Sequence, residues 1–473
     1  GTPAAPSTIL AGLRAAAGTR TKVLYARGAD LVEGRQDPRA APVIESSHLR
    51  APDGQPGLQG EYFAGREPQG AAALTRVDPV VGFRWDRESP TADLVAQGMM
   101  PAAQGLPTDD FSARWTGRLV PPVSGRYEVT VTGDDGFRLD LGGRRVIDEW
   151  TTTPRARAVS AFVDLEAGRP VDVRLEYFDA IRDAEVRLGW RLPGAKDPFQ
   201  EALEAARAAE VVVFAGGLTG DVEGEEMRVS YPGFAGGDRT DLALPASQEK
   251  LLRAVHAVGK PVVLVLTAGS AIAAEWAQVN LPAILLAWYP GQRGGDAVAD
   301  ALFGGVNPAG RLPVTFYRSV AQLPPFADYD MKGRTYRYFE GEPLYPFGHG
   351  LSYTRFEYRD LAIDRPSAAA SDAVTATAVV KNVGTRAGDE VVQLYVRALA
   401  PTVDMPRKQL RGFTRVPLAP GEERRVRFRL RPADDFSRYH PDRKAFVVDP
   451  GDYELQLGAS SADVRLAGRV RVQ

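Results

Sequence analysis

Between Asp197 and Phe303, short apolar runs alternate with amphipathic segments of helix length, and this alternation limits the fold more than any other feature of the chain. Phe199 to Glu210 reads as a helix, and the strand that follows it runs from Val211 to Ala215. Ala246 to Val258 sets Leu251, Leu252, Val255 and Val258 on one face, opening beside Pro245 and closing at Gly259. Pro261 to Leu266 and Pro282 to Trp288 are two more buried strands, with a short helix expected over Ala271–Gln278 between them. Gly294 to Phe303 is a further helix. Near-continuous apolar strands alternating with helices predict a mostly parallel sheet covered on both faces, an α/β sandwich. A helical pattern at Thr8–Ala17 and a strand at Thr21–Ala26 carry the same texture to the beginning of the chain.

From about Gly57 to Pro193 the pattern becomes strictly alternating. Gly125–Thr132, Phe137–Leu141, Ala161–Leu165 and Val171–Tyr177 all show a period of two, and Gly133-Asp-Asp-Gly136 reads as a turn joining two strands. This segment predicts an antiparallel barrel or sandwich inserted into the α/β domain. After Gly350 alternation returns in Val374–Val380, Asp389–Val396, Arg424–Leu430 and Gly451–Leu457, the pattern of a small β-sandwich of immunoglobulin-like size. The arginines of the 424 strand read as one solvated face. The resulting division is 1–56 with 195–345 for the α/β domain, 57–194 for the inserted β domain and 346–473 for a linker and the terminal sandwich. A chain of 473 residues is too long for one core, so about two to four domains are expected in any case.

Composition excludes several classes. Fifty-eight Lys and Arg against 60 Asp and Glu leave a net charge of -2, with no basic excess to attract nucleic acid or an acidic membrane. Cysteine is absent, which excludes disulfides and thiolate chemistry without fixing a compartment. The four histidines are scattered without metal-ligand spacing, so neither a metal nor a cofactor is expected. The longest apolar run, Pro261–Ala274, is too short to cross a bilayer. Gly1 stands where an initiator methionine is expected and no signal peptide follows, which predicts a piece of a longer polypeptide.

Chemistry concentrates in Gly217-Leu-Thr-Gly-Asp-Val-Glu-Gly-Glu-Glu-Met227, where Glu223, Glu225 and Glu226 crowd a glycine-rich loop just past a strand. Open α/β sheets place their sites outside the carboxyl ends of their strands. A carboxyl crowded by others suits a general acid, and a solvated acidic loop is the plain alternative. Asp238 and Arg239 suggest an ion pair that pins the loop. Trp288 and Tyr289, just past another strand end, suggest a platform for a sugar ring or a core contact. Trp115 and Trp150 read as core, His349 as a buried linker residue, and Asp134-Asp135 as a turn rather than a metal site.

Several longer motifs carry a resemblance. Glu223-Gly followed by Gly237-Asp-Arg-Thr-Asp-Leu-Ala-Leu-Pro245 resembles the second domain of glycoside hydrolase family 3, the β-glucosidase and β-xylosidase family. So do Ala287-Trp-Tyr-Pro-Gly-Gln292, Gly304-Gly-Val-Asn-Pro-Ala-Gly-Arg-Leu-Pro-Val-Thr-Phe316 and Tyr345-Pro-Phe-Gly-His-Gly-Leu-Ser-Tyr-Thr354, in the family's order. The inserted segment, through Gly60-Glu-Tyr-Phe63, Phe111-Ser-Ala-Arg-Trp-Thr-Gly117 and Gly133-Asp-Asp-Gly-Phe-Arg-Leu139, is similar to a protective-antigen-type β-barrel. The terminal sandwich resembles a fibronectin type III-like domain.

The resemblance implies a retaining, exo-acting glycosidase whose nucleophile lies on a (β/α)₈-type barrel that this chain does not contain. Its partner is then that barrel polypeptide. Its substrates are short β-linked oligosaccharides or aryl glucosides, limited in length by the inserted β domain, and its place is periplasmic or secreted. The family's acid/base sits in a Glu-Gly segment ahead of Asp-Arg, which Glu223 matches. The extra residues Glu225–Gly237 leave Glu226 and then Glu225 open as alternates. A β-xylosidase and a non-catalytic carbohydrate-binding fragment are the competing readings. The first-subsite sugar and the oligomeric state, homo-oligomer included, stay open.

Overall fold

A computed structural model describes residues 6–33, 41–101, 104–153, 156–194, 197–227 and 229–473. The chain forms two compact units, one of Gly1–Glu33 with Glu201–Gln473 and one of Gly34–Gln200.

In the first unit three strands, Val212–Gly217, Val262–Thr267 and Ala283–Leu286, lie side by side in that order and all parallel. Helices Ala246–His256, Glu275–Asn280 and Gly294–Leu302 fall between or after them, as the apolar spacing predicts. Leu251, Leu252 and Val255 of the 246–256 helix are buried together with Val262, Leu264 and Val265 of the central strand. The helix at the beginning of the chain, Ile9–Ala17, is capped by Thr8, whose hydroxyl accepts from the Ala11 amide at 3.1 Å, and it ends at Gly18. The expected strand over Thr21–Ala26 does not form; Leu24 and Tyr25 stand 38% and 64% exposed. A strand needs a neighbour to share its hydrogen bonds, and among the described residues this run has none.

The same unit ends in a β-sandwich. A three-stranded sheet (Phe356–Ile363, Val374–Asn382, Glu423–Leu430) and a five-stranded sheet that includes Gly388–Ala398 and Gly451–Gly458 share one core around Val380, Leu394 and Leu455. In the 423–430 strand Val426, Phe428 and Leu430 are buried while Arg425, Arg427 and Arg429 are exposed, so its arginines do form a solvated face.

The second unit is antiparallel throughout. One sheet of seven strands contains Phe111–Leu119, Val171–Asp179 and Gly136–Leu141 side by side; another of four contains Ala184–Arg191, Gly125–Asp134 and Arg157–Leu165. Both contribute to one core centred on Trp115, Tyr177, Tyr127 and Trp190. The expected barrel thus takes the form of two sheets over a common core. Gly133–Gly136 is not a hairpin turn, because it carries the chain from the four-stranded sheet into the seven-stranded one. The unit also begins earlier than the alternation suggests. Val43 bridges to Gly189, Leu49 pairs with Leu119, and Ile44 and Leu49 are buried in its core. Residues 41–56, expected in the α/β domain, therefore contribute to the β unit. Short pairings separated by turns carry too little periodicity to be read as strands.

Asp78 organises this core. Its carboxylate accepts from the Tyr62 hydroxyl at 2.6 Å, the Trp115 indole at 2.8 Å and Arg76 Nε at 2.7 Å. A buried carboxylate is tolerated only when it is paired and hydrogen-bonded in this way.

Candidate active site

The three parallel strands end together, and the loop after each contributes to one polar cluster. Glu223 follows the 212–217 strand, Gly269 and Ser270 follow the 262–267 strand, and Tyr289 follows the 283–286 strand. The carboxyl ends of a parallel sheet are where open α/β folds place ligands. Buried Gln248 fixes the first of these ends: its Oε1 accepts from the Gly217 amide at 2.7 Å, and its Nε2 donates to the Gly217 carbonyl at 2.8 Å.

Glu223 is the centre of the cluster. Its Oε2 accepts from the Ser270 hydroxyl at 2.7 Å. Its Oε1 accepts from both the Gly269 amide and the Tyr289 hydroxyl. Gly269 admits this approach because a Cβ there would meet Glu223 Oε1 at 2.9 Å and Tyr289 Cε2 at 3.0 Å. Burial raises the Tyr289 phenol well above the ordinary tyrosine value, and the hydrogen bond to Glu223 and its charge add to the rise. Tyr289 is nevertheless 44% exposed, so the cluster opens to solvent.

Arg239 forms the cationic wall. Its Nη1 donates to Ser270 Oγ at 3.2 Å and the Ala271 carbonyl at 2.9 Å, and its Nη2 to the Ala243 carbonyl at 2.9 Å. Burial pulls its guanidinium down from the ordinary arginine value, opposed by the charge of Glu223. The anticipated pairing with Asp238 is replaced by these oxygens: adjacent residues of a strand point to opposite sides, and Asp238 is exposed.

The extra residues after Gly224 are looped out. Together with Asp238–Arg239 they form a ribbon of three short strands, the other two being Ser230–Tyr231 and Phe234–Ala235. Its neck is closed by the Gly224 amide donating to the Gly237 carbonyl at 3.1 Å and the Met227 amide to the Gly236 carbonyl at 2.8 Å. Gly237 has φ 95°, and a Cβ there would lie 1.8 Å from the Gly224 carbonyl oxygen. Only glycine closes such a neck. Glu225 and Glu226 lie within it, between its two closing bonds, and are exposed, whereas Glu223 lies before it and is partly buried.

The remaining sequence candidates fall elsewhere. Trp288 has φ 54° and packs edge-on against Phe316 with ring centroids 6.1 Å apart, a packing contact. Trp115 is fully buried; Trp150 is partly buried, under Arg138 at 4.0 Å and edge-on to Phe178. His349 stacks on Tyr345 with centroids 5.1 Å apart, and burial and then Arg311 lower its pKa. In the β unit Asp179 is 0% exposed and both its oxygens lack a hydrogen-bond partner. Burial, then Asp135, Asp109, Asp134 and Asp110, push its carboxyl up to about 8. Asp134 is pushed up to about 7 by burial, then by Asp135, Asp183 and Glu185. Asp135 instead accepts from the Thr153 and Ala180 amides at 2.6 and 2.7 Å. Among the described residues no three His, Cys, Asp or Glu side chains are arranged to hold a metal ion, and no helix is long and apolar enough to cross a membrane.

Sequence reasoning did not find Ser270, Gly269 or Gln248. The signal available was the small-residue turn directly after a buried strand, the same position relative to the sheet that singled out Glu223.

Comparison with known proteins places these features in a family. The glycosyl hydrolase family 3 C-terminal domain matches residues 2–353, and a fibronectin type III-like domain matches 390–461. A xylan 1,4-β-xylosidase of Xylanibacter ruminicola is 35% identical over 98% of this chain and 51% of that protein. A periplasmic β-glucosidase of Salmonella typhimurium is 36% identical over 59% of this chain and 36% of its own length. In fold, the chain is similar to a β-glucosidase of Kluyveromyces marxianus crystallised with glucose, with a TM-score of 0.70 and 24% identity over all of this chain and 56% of the other. The chain thus spans about half, or less, of the lengths of these relatives. With most of its residues matched by the family's C-terminal domain, the chain belongs to glycosyl hydrolase family 3.

Proposed function

We propose that this chain supplies the acid/base half of a retaining, exo-acting β-glucosidase-like hydrolase. Glu223 protonates the departing glycosidic oxygen and then takes a proton from the water that releases the sugar. The nucleophilic carboxylate belongs to a barrel on another part of the enzyme, about 5–5.5 Å from Glu223 when the two are assembled, as a retaining mechanism requires. The observation that carries this reading is the convergence of three strand-end loops on one partly exposed glutamate. We assign the 34–200 unit as a protective-antigen-type module that limits substrate length, and short β-linked oligosaccharides or aryl glucosides as substrates. A periplasmic or secreted location is supported by the Salmonella relative. The match to about half of a xylan 1,4-β-xylosidase, over 98% of this chain, supports a second reading, the same chemistry on β-xylosides.

The test assays aryl β-glucoside and β-xyloside hydrolysis by the chain alone and together with the barrel part. The chain alone is expected to be inactive. In the assembled enzyme Glu223→Ala lowers turnover by about 10²–10⁴-fold, and azide, which needs no general base, restores part of it. Turnover by the chain alone contradicts the placement of the nucleophile. Azide rescue of Glu226→Ala instead of Glu223→Ala moves the role to Glu226.

A further inference from the structure

The two oxygens of Glu223 stand in different surroundings. Oε1 faces two donors: the Gly269 amide, which is fixed in the backbone, and the Tyr289 hydroxyl. Among the described residues Oε2 accepts a hydrogen bond only from the Ser270 hydroxyl, at 2.7 Å. A hydroxyl both donates and accepts and turns freely about its C–O bond. The Ser270 oxygen also accepts from Arg239 Nη1 at 3.2 Å, so it keeps a partner whichever way its hydrogen points. A proton on Oε1 would face an amide hydrogen that cannot turn away.

From this asymmetry we infer that Tyr289 is a positioning residue that, with the Gly269 amide, anchors Oε1 as the non-reacting oxygen of Glu223 and leaves Oε2 to carry the transferred proton. This rests on the reading of Glu223 as the acid/base. In the first half-reaction the proton on Oε2 passes to the glycosidic oxygen as its bond to the anomeric carbon breaks, while the nucleophilic carboxylate bonds to that carbon. In the second, water bonds to the anomeric carbon, its proton goes to Oε2, and the bond to the nucleophile breaks. The Tyr289 proton stays on the phenol throughout. Its burial and its bond to Glu223 both hold it there. Tyr289 therefore orients the acid and exchanges no proton with substrate.

Two measurements test this. In the chain as it stands, labelled with ¹³C at the tyrosine ζ-carbon, the signal missing in Tyr289→Phe identifies Tyr289. Its titration is expected far into the alkaline range, and Glu223→Gln brings it down toward ordinary tyrosine, whereas an unchanged titration overturns the pairing. In the assembled enzyme Tyr289→Phe is expected to lose about tenfold more kcat/KM on phenyl β-glucoside than on 2,4-dinitrophenyl β-glucoside, the scale of one hydrogen bond to a charged group. Only the poorer leaving group needs a well-aimed proton, so a structural role would lower both equally, and equal losses overturn the assignment. Glu223→Ala serves as the reference. If it shows no such selectivity, the acid/base reading falls and this inference with it; if it does and Tyr289→Phe does not, the oxygen assignment alone falls.

Discussion

Raising the pH from 5 to 7 should weaken the 34–200 unit, because Asp179 and Asp134 hold protons there that the unfolded chain releases. Their carboxyls are pushed up to about 8 and about 7, far above the ordinary aspartate range. A group with a raised folded pKa contributes its full stability below its unfolded pKa and loses it as the pH climbs through the folded value. The window therefore opens near pH 4 and closes near pH 8. One such group removes about 1.4 kcal/mol per pH unit, about 2.7 kcal/mol between pH 5 and 7. The charge of Asp134 is among those that raise Asp179, so the two share part of the effect and about 2–4 kcal/mol is expected for the pair. Glu176 does not interfere. Burial pushes its carboxyl up, but hydrogen bonds from Arg174, Arg138 and Arg114 outweigh this and hold it at about 2, so its contribution is lost only on acidification, below this window. His349, whose lowered pKa works in the opposite direction, belongs to the other unit. Urea unfolding followed by tryptophan fluorescence reports the unit well, since Trp85, Trp115, Trp150 and Trp190 are four of the six tryptophans. With a urea m-value of roughly 2 kcal/mol/M, the midpoint should fall by about 1–2 M between pH 5 and 7. Asp179→Asn should remove about half of that fall. A midpoint that is level or rises over this interval refutes the reasoning.

Two further outcomes follow from the geometry. Asp78→Ala leaves Tyr62, Trp115 and Arg76 without their shared acceptor and should destabilise the β unit by about 3–5 kcal/mol, read from the same urea curves. Gly269→Ala should leave urea stability within about 1 kcal/mol, because its neighbours are side-chain ends at an open site. It should nonetheless reduce hydrolysis by the assembled enzyme by about tenfold or more, because the new methyl pushes Glu223 and Tyr289 from their places; undiminished turnover would show that this contact does not matter.

Where contacts are local, the sequence was legible. The helices of residues 9–17, 246–256 and 294–302 follow from apolar spacing and from caps such as Thr8 and Gly18, each a matter of a few neighbouring residues. The parallel strands are legible as unbroken apolar runs. The partners of Glu223 are not, for Gly269, Ser270 and Tyr289 lie 46, 47 and 66 residues away, and glycine and serine in a turn carry no chemical signature of their own. The same distance hid the role of Arg239, whose nearest acid in sequence is not its partner in space. Thr21–Ala26 has the letters of a strand, but pairing depends on a neighbour that the run itself cannot specify.

The clasp between Gly224 and Gly237 separates Glu223 from the tip of the ribbon beyond it. Phe234–Ala235 pair with Asp238–Arg239 and so support the Arg239 wall, whereas exchanging the tip at Pro232 and Gly233 changes the ribbon and not the aim of the glutamate. A protein built this way can vary the tip of that ribbon while the carboxylate of Glu223 keeps its three donors.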